Sequence, residues 1–428
     1  MIGTFLKNRT VRNAGWLIGG KIAQMLINLV VGLLTARYLG PSNYGLINYA
    51  GAYTAFFASL CTLGINSVIV KELIDRPKAE GEVIGTTLVL RSISSFLSAL
   101  TIIGVVSVVD ADEPTTIAVV ALCSIGLLFQ LLDTFNYWFQ SRLQSKVTAI
   151  ATLVAYAVTA AYKVFLILTD KSVVWFALAT SVDYLCIGVL LLLSYRKNGG
   201  EKLSFSWQYG KTLLGKSYHY ILAGLMVSVY GQTDKLMLKQ MINEAEIGYY
   251  STAVSLCNVW CFVLAAIIDS VVPSIMQAHN ENEETFKQRN RQLYAIIFYI
   301  SVFVSLCFTV LAKPAISILY GEAYLPAVGP LRVITWYTAF SYLGVARNSW
   351  VVCKERQKYL VWIYLASAAI NVLLNSLLIP SFGAVGAAWA SLAAQICTTL
   401  VVPFFIPALR ENSVLMLQAI ALRGVLRK

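Results

Sequence analysis

Apolar residues run through this chain in twelve long blocks, separated by short gaps that carry most of the charge. A helix needs about 20 mainly apolar residues to cross hydrocarbon. Blocks of about that length lie at 14–36, 46–70, 84–109, 115–138, 147–169, 173–195, 217–240, 249–275, 293–312, 328–352, 359–379 and 384–407. The pattern predicts twelve transmembrane helices. The first block follows Lys7, Arg9 and Arg12, yet it is too long for a signal-peptide core and lacks a small-residue cleavage site, so it reads as a retained helix.

Lys and Arg alternate in density from gap to gap. One side collects Lys7, Arg9 and Arg12, then Lys71, Arg76 and Lys78, Arg142 and Lys146, and the run from Arg196 to Lys216. It continues with Lys287, Arg289 and Arg291, with Lys354, Arg356 and Lys358, and with Arg410, Arg423, Arg427 and Lys428. The opposite side has Arg37, Lys171, Lys239 and Lys313. Basic loops stay in the cytoplasm, so both termini are expected there. All loops are short, which leaves no room for a soluble catalytic domain. The segment from Phe205 mixes aromatic, aliphatic and basic residues, as does 413–426; an interfacial helix and a plain linker both fit.

Composition agrees with this assignment: 58% of residues are hydrophobic, 13% are charged and the mean hydropathy is +0.70, where soluble domains carry roughly 25% charge. The net charge of +12 would suggest nucleic acid in a soluble protein. Here the positive residues flank apolar runs, where they set orientation and meet anionic headgroups, so no nucleic-acid partner is expected. All eight cysteines fall inside apolar blocks without paired spacing and read as small core residues.

The basic gap near residue 200 divides the chain in two. A shift of 203 positions superposes Gly45 on Gly248 and Ala50 on Ala253, at the starts of blocks two and eight, and block one on block seven. The expectation is an all-α integral membrane protein: two six-helix bundles related by a pseudo-twofold along the membrane normal, with both termini cytoplasmic. The bundles would be 1–200 and 217–407, joined by a cytoplasmic linker at 201–216 and followed by a basic tail at 408–428.

Several segments carry a family resemblance. They are Tyr38–Gly45 (YLGPSNYG) with Leu63 and Gly64, Asp234–Leu238 (DKLML), Ile247–Ala253 (IGYYSTA) and Pro273. Further on come Leu319–Tyr324 (LYGEAY), Asn371–Asn375 (NVLLN), Leu378–Pro380, Gly383 and Gly386–Trp389 (GAAW). In this order, on these helix ends, the chain resembles the Wzx-type polysaccharide-repeat-unit flippases of the multidrug/oligosaccharidyl-lipid/polysaccharide exporter superfamily. Packing explains some of these residues by itself. Gly40 and Pro41 stop a helix, and Gly383, Gly386, Ala387 and Ala388 make a small-residue face.

An ionisable side chain inside a span costs about 2.5–3.5 kcal/mol on insertion scales, so each is a candidate functional group. Lys21 and Arg91 lie about 12 Å inside the inner boundary at 1.5 Å per residue. A water-filled cavity would explain both. Arg347, Arg332 and Lys163 lie within two turns of an end, where headgroup anchoring and cavity lining both remain open. Asp183 is mid-helix and too short to reach water, so it needs a partner or a proton. Asp234 and Lys235 point about 100° apart; one would face a cavity and the other a neighbouring helix. Asp133 and Asp269 fit an ion-coupling role or a structural ion pair equally well. Asn and Gln within the spans, Asn371 and Asn375 among them, fit either interhelical hydrogen bonds or a sugar path.

The resemblance implies a flippase that moves undecaprenyl-diphosphate-linked oligosaccharides across a bacterial cytoplasmic membrane, by alternating access, for O-antigen, capsule or other lipopolysaccharide assembly. Its partners would be that substrate, membrane lipids and the polysaccharide polymerase machinery. Lys21, Arg91, Lys235 and Arg347 are the candidates for neutralising a diphosphate or acidic sugars. Asp183, Asp133, Asp234 and Asp269 are those for ion coupling or structure. No cofactor or metal is expected, energy coming from H+ or Na+ because no nucleotide-binding loop is present. Two alternatives remain: a cation-coupled drug exporter of the same superfamily, and a membrane glycosyltransferase or polymerase. The second would need a larger outer loop with catalytic groups.

Overall fold

The computed structural model describes residues 9–425, apart from the side chains of 9–15, 17, 18, 67 and 223. Lys7, Arg427 and Lys428 therefore lie outside the described residues. Nearly everything described is helical. The first helical run, Arg9–Thr62, breaks at Gly40 into α1 (9–39) and α2 (41–62). Gly40 has φ 71°, a left-handed value that suits glycine, and Pro41 has no N–H to carry the helix on. After a 3₁₀ turn come α3 (Ile69–Asp75), α4 (Glu80–Val109) and α5 (Pro114–Gln130). A second 3₁₀ turn, Leu131–Asp133, leads to α6 (Thr134–Ser141), α7 (Ser145–Leu168), α8 (Val173–Ala177) and α9 (Ala179–Lys197).

The second half opens with α10 (Trp207–Met241), α11 (Glu244–Glu281), α12 (Glu283–Leu319) and α13 (Val328–Cys353). The run Lys358–Ile396 breaks at Gly383, φ 53°, into α14 (358–382) and α15 (384–396). A π-helical turn, Cys397–Val401, then leads to α16 (Val402–Phe405) and α17 (Pro407–Ile420). Several helices outrun the apolar blocks: α10 and α12 each begin about ten residues before theirs. A helix satisfies its own backbone, so it can continue past the hydrocarbon edge into water.

Among the described residues, eight helical runs are long and apolar enough to cross a membrane. Two of them are the runs folded at Gly40 and Gly383. The long helices α10 and α13 are too polar to qualify. Large apolar side chains point outward along the spans, among them Leu26, Leu97, Phe303, Val310, Trp362, Leu377 and Phe405, all more than half exposed. So much outward apolar surface needs lipid as its solvent.

The chain folds into two compact units, one made of residues up to Leu39 with Leu46–Ser228, the other of Gly40–Gly45 with 229 onward. In the first, Phe135, Trp138, Phe139, Leu191 and Tyr195 form a buried cluster with Ile65, Ile69 and Tyr209. The linker is ordered here. Ser204 N donates to Gly81 O at 3.1 Å and Gly81 N to Glu201 Oε2 at 2.9 Å, which lays the linker across the first turn of α4. Helix α10 then starts at Trp207, and Lys216 Nζ reaches Glu72 at 2.5 Å. In the second unit, Leu293, Tyr294 and Trp350 are buried with Leu409, Leu415 and Met416 of α17. The residues after the last span thus form a helix packed into its unit.

The 203-residue repeat has physical content. A Cβ on Gly45 would collide with Glu244 O, and one on Gly248 with Pro41 O, so the two matched glycines let their segments pack backbone on backbone. Glu80 and Glu283 are also matched. Glu80 accepts from Trp138 Nε1 at 2.8 Å and Arg142 at 2.7 Å, and Glu283 accepts from Lys354 at 2.8 Å. Each ties the start of one long helix to the end of the next.

Two predictions concern stability. Gly248→Ala should lower the unfolding temperature through overpacking of about 1–3 kcal/mol. Gly51→Ala, with nothing within 4 Å of the new methyl, should not; thermal unfolding in detergent compares them. Burial raises the Glu72 carboxyl, but hydrogen bonds from Lys216 and Tyr209 outweigh it and leave Glu72 below its ordinary value. A depressed carboxylate stabilises above its unfolded pKa, about 4.3, and that contribution vanishes as pH falls through the folded value. Glu72→Gln should therefore flatten the acid limb of the stability profile below about pH 4.3.

Candidate functional site

Asp234 sits two turns before the end of α10 and is 7% exposed. Its carboxylate accepts four hydrogen bonds from three other helices. Tyr250 Oη of α11 donates to Oδ2 at 2.5 Å, and so does Ser391 Oγ of α15 at 2.5 Å. From α14, Asn371 Nδ2 donates to Oδ1 at 3.0 Å and Asn375 Nδ2 at 2.6 Å. The two asparagines are four apart and so share a helix face, and Asn375 also donates to Asn371 Oδ1 at 3.1 Å. Charge-assisted hydrogen bonds, about 1.5–3 kcal/mol each, offset the cost of a carboxylate at this depth.

The break at Gly383 positions α15. Glu246 of α11 accepts from Ala384 N, the first amide of that helix, at 2.5 Å. An acidic cap at a helix start satisfies orphan N–H groups and favours the dipole. Gly386 packs against Leu378 O, which lets α15 turn back close to α14. Ser391 is thereby brought to Asp234.

A cavity of about 270 Å³ opens beside the carboxylate, lined by Tyr230, Gly231, Gln232, Asp234, Lys235, Tyr250, Val254, Cys257, Asn258, Ile334, Tyr337, Thr338 and Ser391. Most of this wall comes from α10, α11 and α13. Tyr230 Oη donates to Gln395 Oε1 at 2.6 Å and stands 3.5 Å from Tyr337 Oη. Among the described residues, two buried acceptors, Asn375 Oδ1 and Gln232 Oε1, have no hydrogen-bond partner. The arrangement offers hard oxygen ligands around one carboxylate, a setting for a proton or a small monovalent cation, and it adds a lysine at the same cavity.

The remaining sequence candidates are spread out. Lys235 lines the cavity and Asp234 turns to the neighbouring helices while also bordering it. Arg347 is 3% exposed on α13, with Nη1 donating to Thr398 O in the π-helical turn at 3.2 Å. Arg91 is 1% exposed on α4 and donates to Thr134 Oγ1 at 3.0 Å and Gln130 O at 3.1 Å, at the 3₁₀ break between α5 and α6. Asp133 lies in that break, in the field of Arg91. Each buried arginine thus supplies donors where a helix loses its regular hydrogen bonding.

Asp183, half-buried on α9, takes a 3.4 Å contact from Thr159 Oγ1 and feels the charge of Lys163. Tyr156 borders it and hydrogen-bonds Gln24 of α1. Arg332 is exposed with Nε donating to Thr309 O at 3.2 Å. Lys21 on α1 and Asp269 on α11 are exposed and join none of these clusters. Sequence reasoning left Tyr250, Ser391 and Glu246 unassigned. The Asn371/Asn375 spacing was the legible signal, since it puts two amides on one face.

The architecture is that of known membrane transporters. It is similar to a multidrug-resistance MATE family transporter of the MOP superfamily in an inward-facing conformation, with TM-score 0.66, 16% identity, and 91% of this chain and 96% of the other covered. It is also similar to the lipid II flippase MurJ in an inward closed conformation, with TM-score 0.70, 12% identity and coverages of 97% and 92%. A third is a point mutant of the Vibrio cholerae MATE transporter VcmN, with TM-score 0.61, 12% identity and coverages of 97% and 99%. No curated protein matches the sequence. At these identities the likeness shows the fold: a multi-pass, all-helical membrane protein of the MATE and MurJ type. Residues 34–329 match the family described as polysaccharide biosynthesis protein, and the chain belongs to it. Family and fold together bear out the resemblance to Wzx-type exporters.

One prediction follows for the carboxylate cluster. Ser391→Ala removes one of the four donors and should cost about 1.5–3 kcal/mol. Asp234→Ala should cost more, because it strands the amides of Asn371 and Asn375. Thermal unfolding of both variants in one detergent gives the order.

Proposed function

We propose that this protein is a flippase that carries undecaprenyl-diphosphate-linked oligosaccharide repeat units from the inner to the outer leaflet of a bacterial cytoplasmic membrane. The observation that carries this reading is the family match over residues 34–329. Several features of the chain support it. Counted as broken at Gly40 and Gly383, and with α10 and α13 included, the helical runs would supply the twelve spans this reading expects. The alternation of Lys and Arg favours cytoplasmic termini. Short loops leave transport, with alternating access, as the economical activity.

The energy source we propose is a proton or sodium ion taken at Asp234. Asn375 Oδ1 is a buried acceptor without a partner beside the carboxylate. A bound cation would satisfy both at once, and Tyr250, Ser391 and Asn371 supply further oxygen atoms. Of the four acidic candidates, Asp234 has the most complete oxygen surroundings.

Deleting the gene in its host should abolish surface polysaccharide and build up the lipid-linked repeat unit, and restoring the wild-type gene should reverse both. Unchanged surface polysaccharide would contradict the assignment, and loss of cation-driven ethidium efflux instead would favour a drug exporter. Ion coupling has its own test in purified protein. Na+ added at fixed pH should raise the unfolding temperature, and Asp234→Asn should abolish the response while still folding. A response that persists in Asp234→Asn would move the coupling site elsewhere.

A further inference from the structure

Lys235 is a cation without a matched partner. It lines the 270 Å³ cavity, and among the described residues its ammonium makes no hydrogen bond or ion pair. Its neighbour Asp234 exerts a field on it, but that carboxylate's hydrogen bonds go to Tyr250, Asn371, Asn375 and Ser391. A charge at membrane depth is kept where it meets a substrate, an ion or another charge. Here Lys235 forms part of the wall of an open space.

The groups around it narrow the ligand. Gln232 Oε1 is a buried acceptor with no partner, and Asn258, Tyr337 and Thr338 share the same wall. An orphan acceptor needs a donor. Sugar hydroxyls donate as well as accept, whereas a fully ionised diphosphate only accepts. Charge points the same way. One ammonium can balance one negative charge, and the Asp234 carboxylate at the edge of the cavity would repel a multiply charged group. The volume falls just below the usual range of ligand pockets, about 300–1,000 Å³, which suits a single ring better than a chain. Tyrosine rings in the wall add flat apolar surface for the C–H face of that ring.

We infer that the Lys235 side of this cavity is a subsite for one carboxylate-bearing sugar, of the hexuronic acid class, within the exported oligosaccharide. The inference rests on the exporter reading above and names the substrate class at this one place. Lys235 pairs with the sugar carboxylate, Gln232 accepts from a ring hydroxyl, and the diphosphate binds elsewhere.

The test uses the full-length protein in lipid nanodiscs with ligand-observed NMR. The probes are the methyl glycoside of galacturonic acid, its carboxyl-reduced neutral counterpart and inorganic pyrophosphate. The acidic glycoside should bind at least tenfold more tightly than the neutral one, and added salt should shrink the difference. Lys235→Met should erase the preference and Lys235→Arg should retain it. Gln232→Leu should weaken both sugars alike and leave the preference in place, which keeps the test decisive if Lys235→Met does not fold. Equal binding of the two sugars, a preference that survives in Lys235→Met, or Lys235-dependent binding of pyrophosphate tighter than that of the uronate would overturn the inference. None of these outcomes touches the exporter reading, which the gene deletion tests independently of sugar charge.

Discussion

A buried carboxylate must be surrounded by donors, and Asp234 imposes that demand on three neighbouring helices at once. Tyr250 from α11, Asn371 and Asn375 from α14 and Ser391 from α15 all converge on it. Their convergence needs the sharp turn at Gly383, the Glu246 cap on α15 and the close approach of Gly386 to Leu378. The chain break, the cap and the small residues are thus one arrangement seen from three sides. Removing the charge would leave several donors without purpose, which is why a single aspartate shapes so much of the second unit.

The same logic works with opposite sign for the buried arginines. Among the described residues Arg91 and Arg347 have no carboxylate within hydrogen-bonding distance, and each donates to a carbonyl where a helix leaves α geometry. Nε of each remains unsatisfied. These guanidiniums are partly committed to structure, while Lys235 lines a cavity. The distinction gives Lys235 a stronger claim than either arginine to touch a substrate.

Much of the fold was legible in the sequence because hydrocarbon imposes a length and a composition on each helix. The Gly45/Gly248 match suggested a repeat, and close backbone packing at both glycines gives that match a direct cause. What hydropathy alone handles worst is most informative. Helices α10 and α13 are too polar to qualify as spans on hydropathy, and they supply Tyr230, Gln232, Asp234, Lys235, Ile334, Tyr337 and Thr338 to the cavity. Local rules fail where a site is built. The partners of Asp234 were not legible for a different reason: Tyr250 and Ser391 are distant in sequence, and each alone is compatible with ordinary packing. Nor does one-dimensional depth separate Lys21 and Asp269, which are exposed, from Arg91, which is fully buried.

The central claim is that this protein carries a lipid-linked oligosaccharide across the bilayer and that Asp234 couples the movement to an ion. The most direct measurement is leaflet exchange of an undecaprenyl-diphosphate-linked oligosaccharide in proteoliposomes, read by access of an external lectin, with and without an imposed H+ or Na+ gradient. Wild-type protein should accelerate exchange and respond to one of the gradients, and Asp234→Asn should lose that response. Exchange no faster than in protein-free liposomes under every gradient would contradict the account.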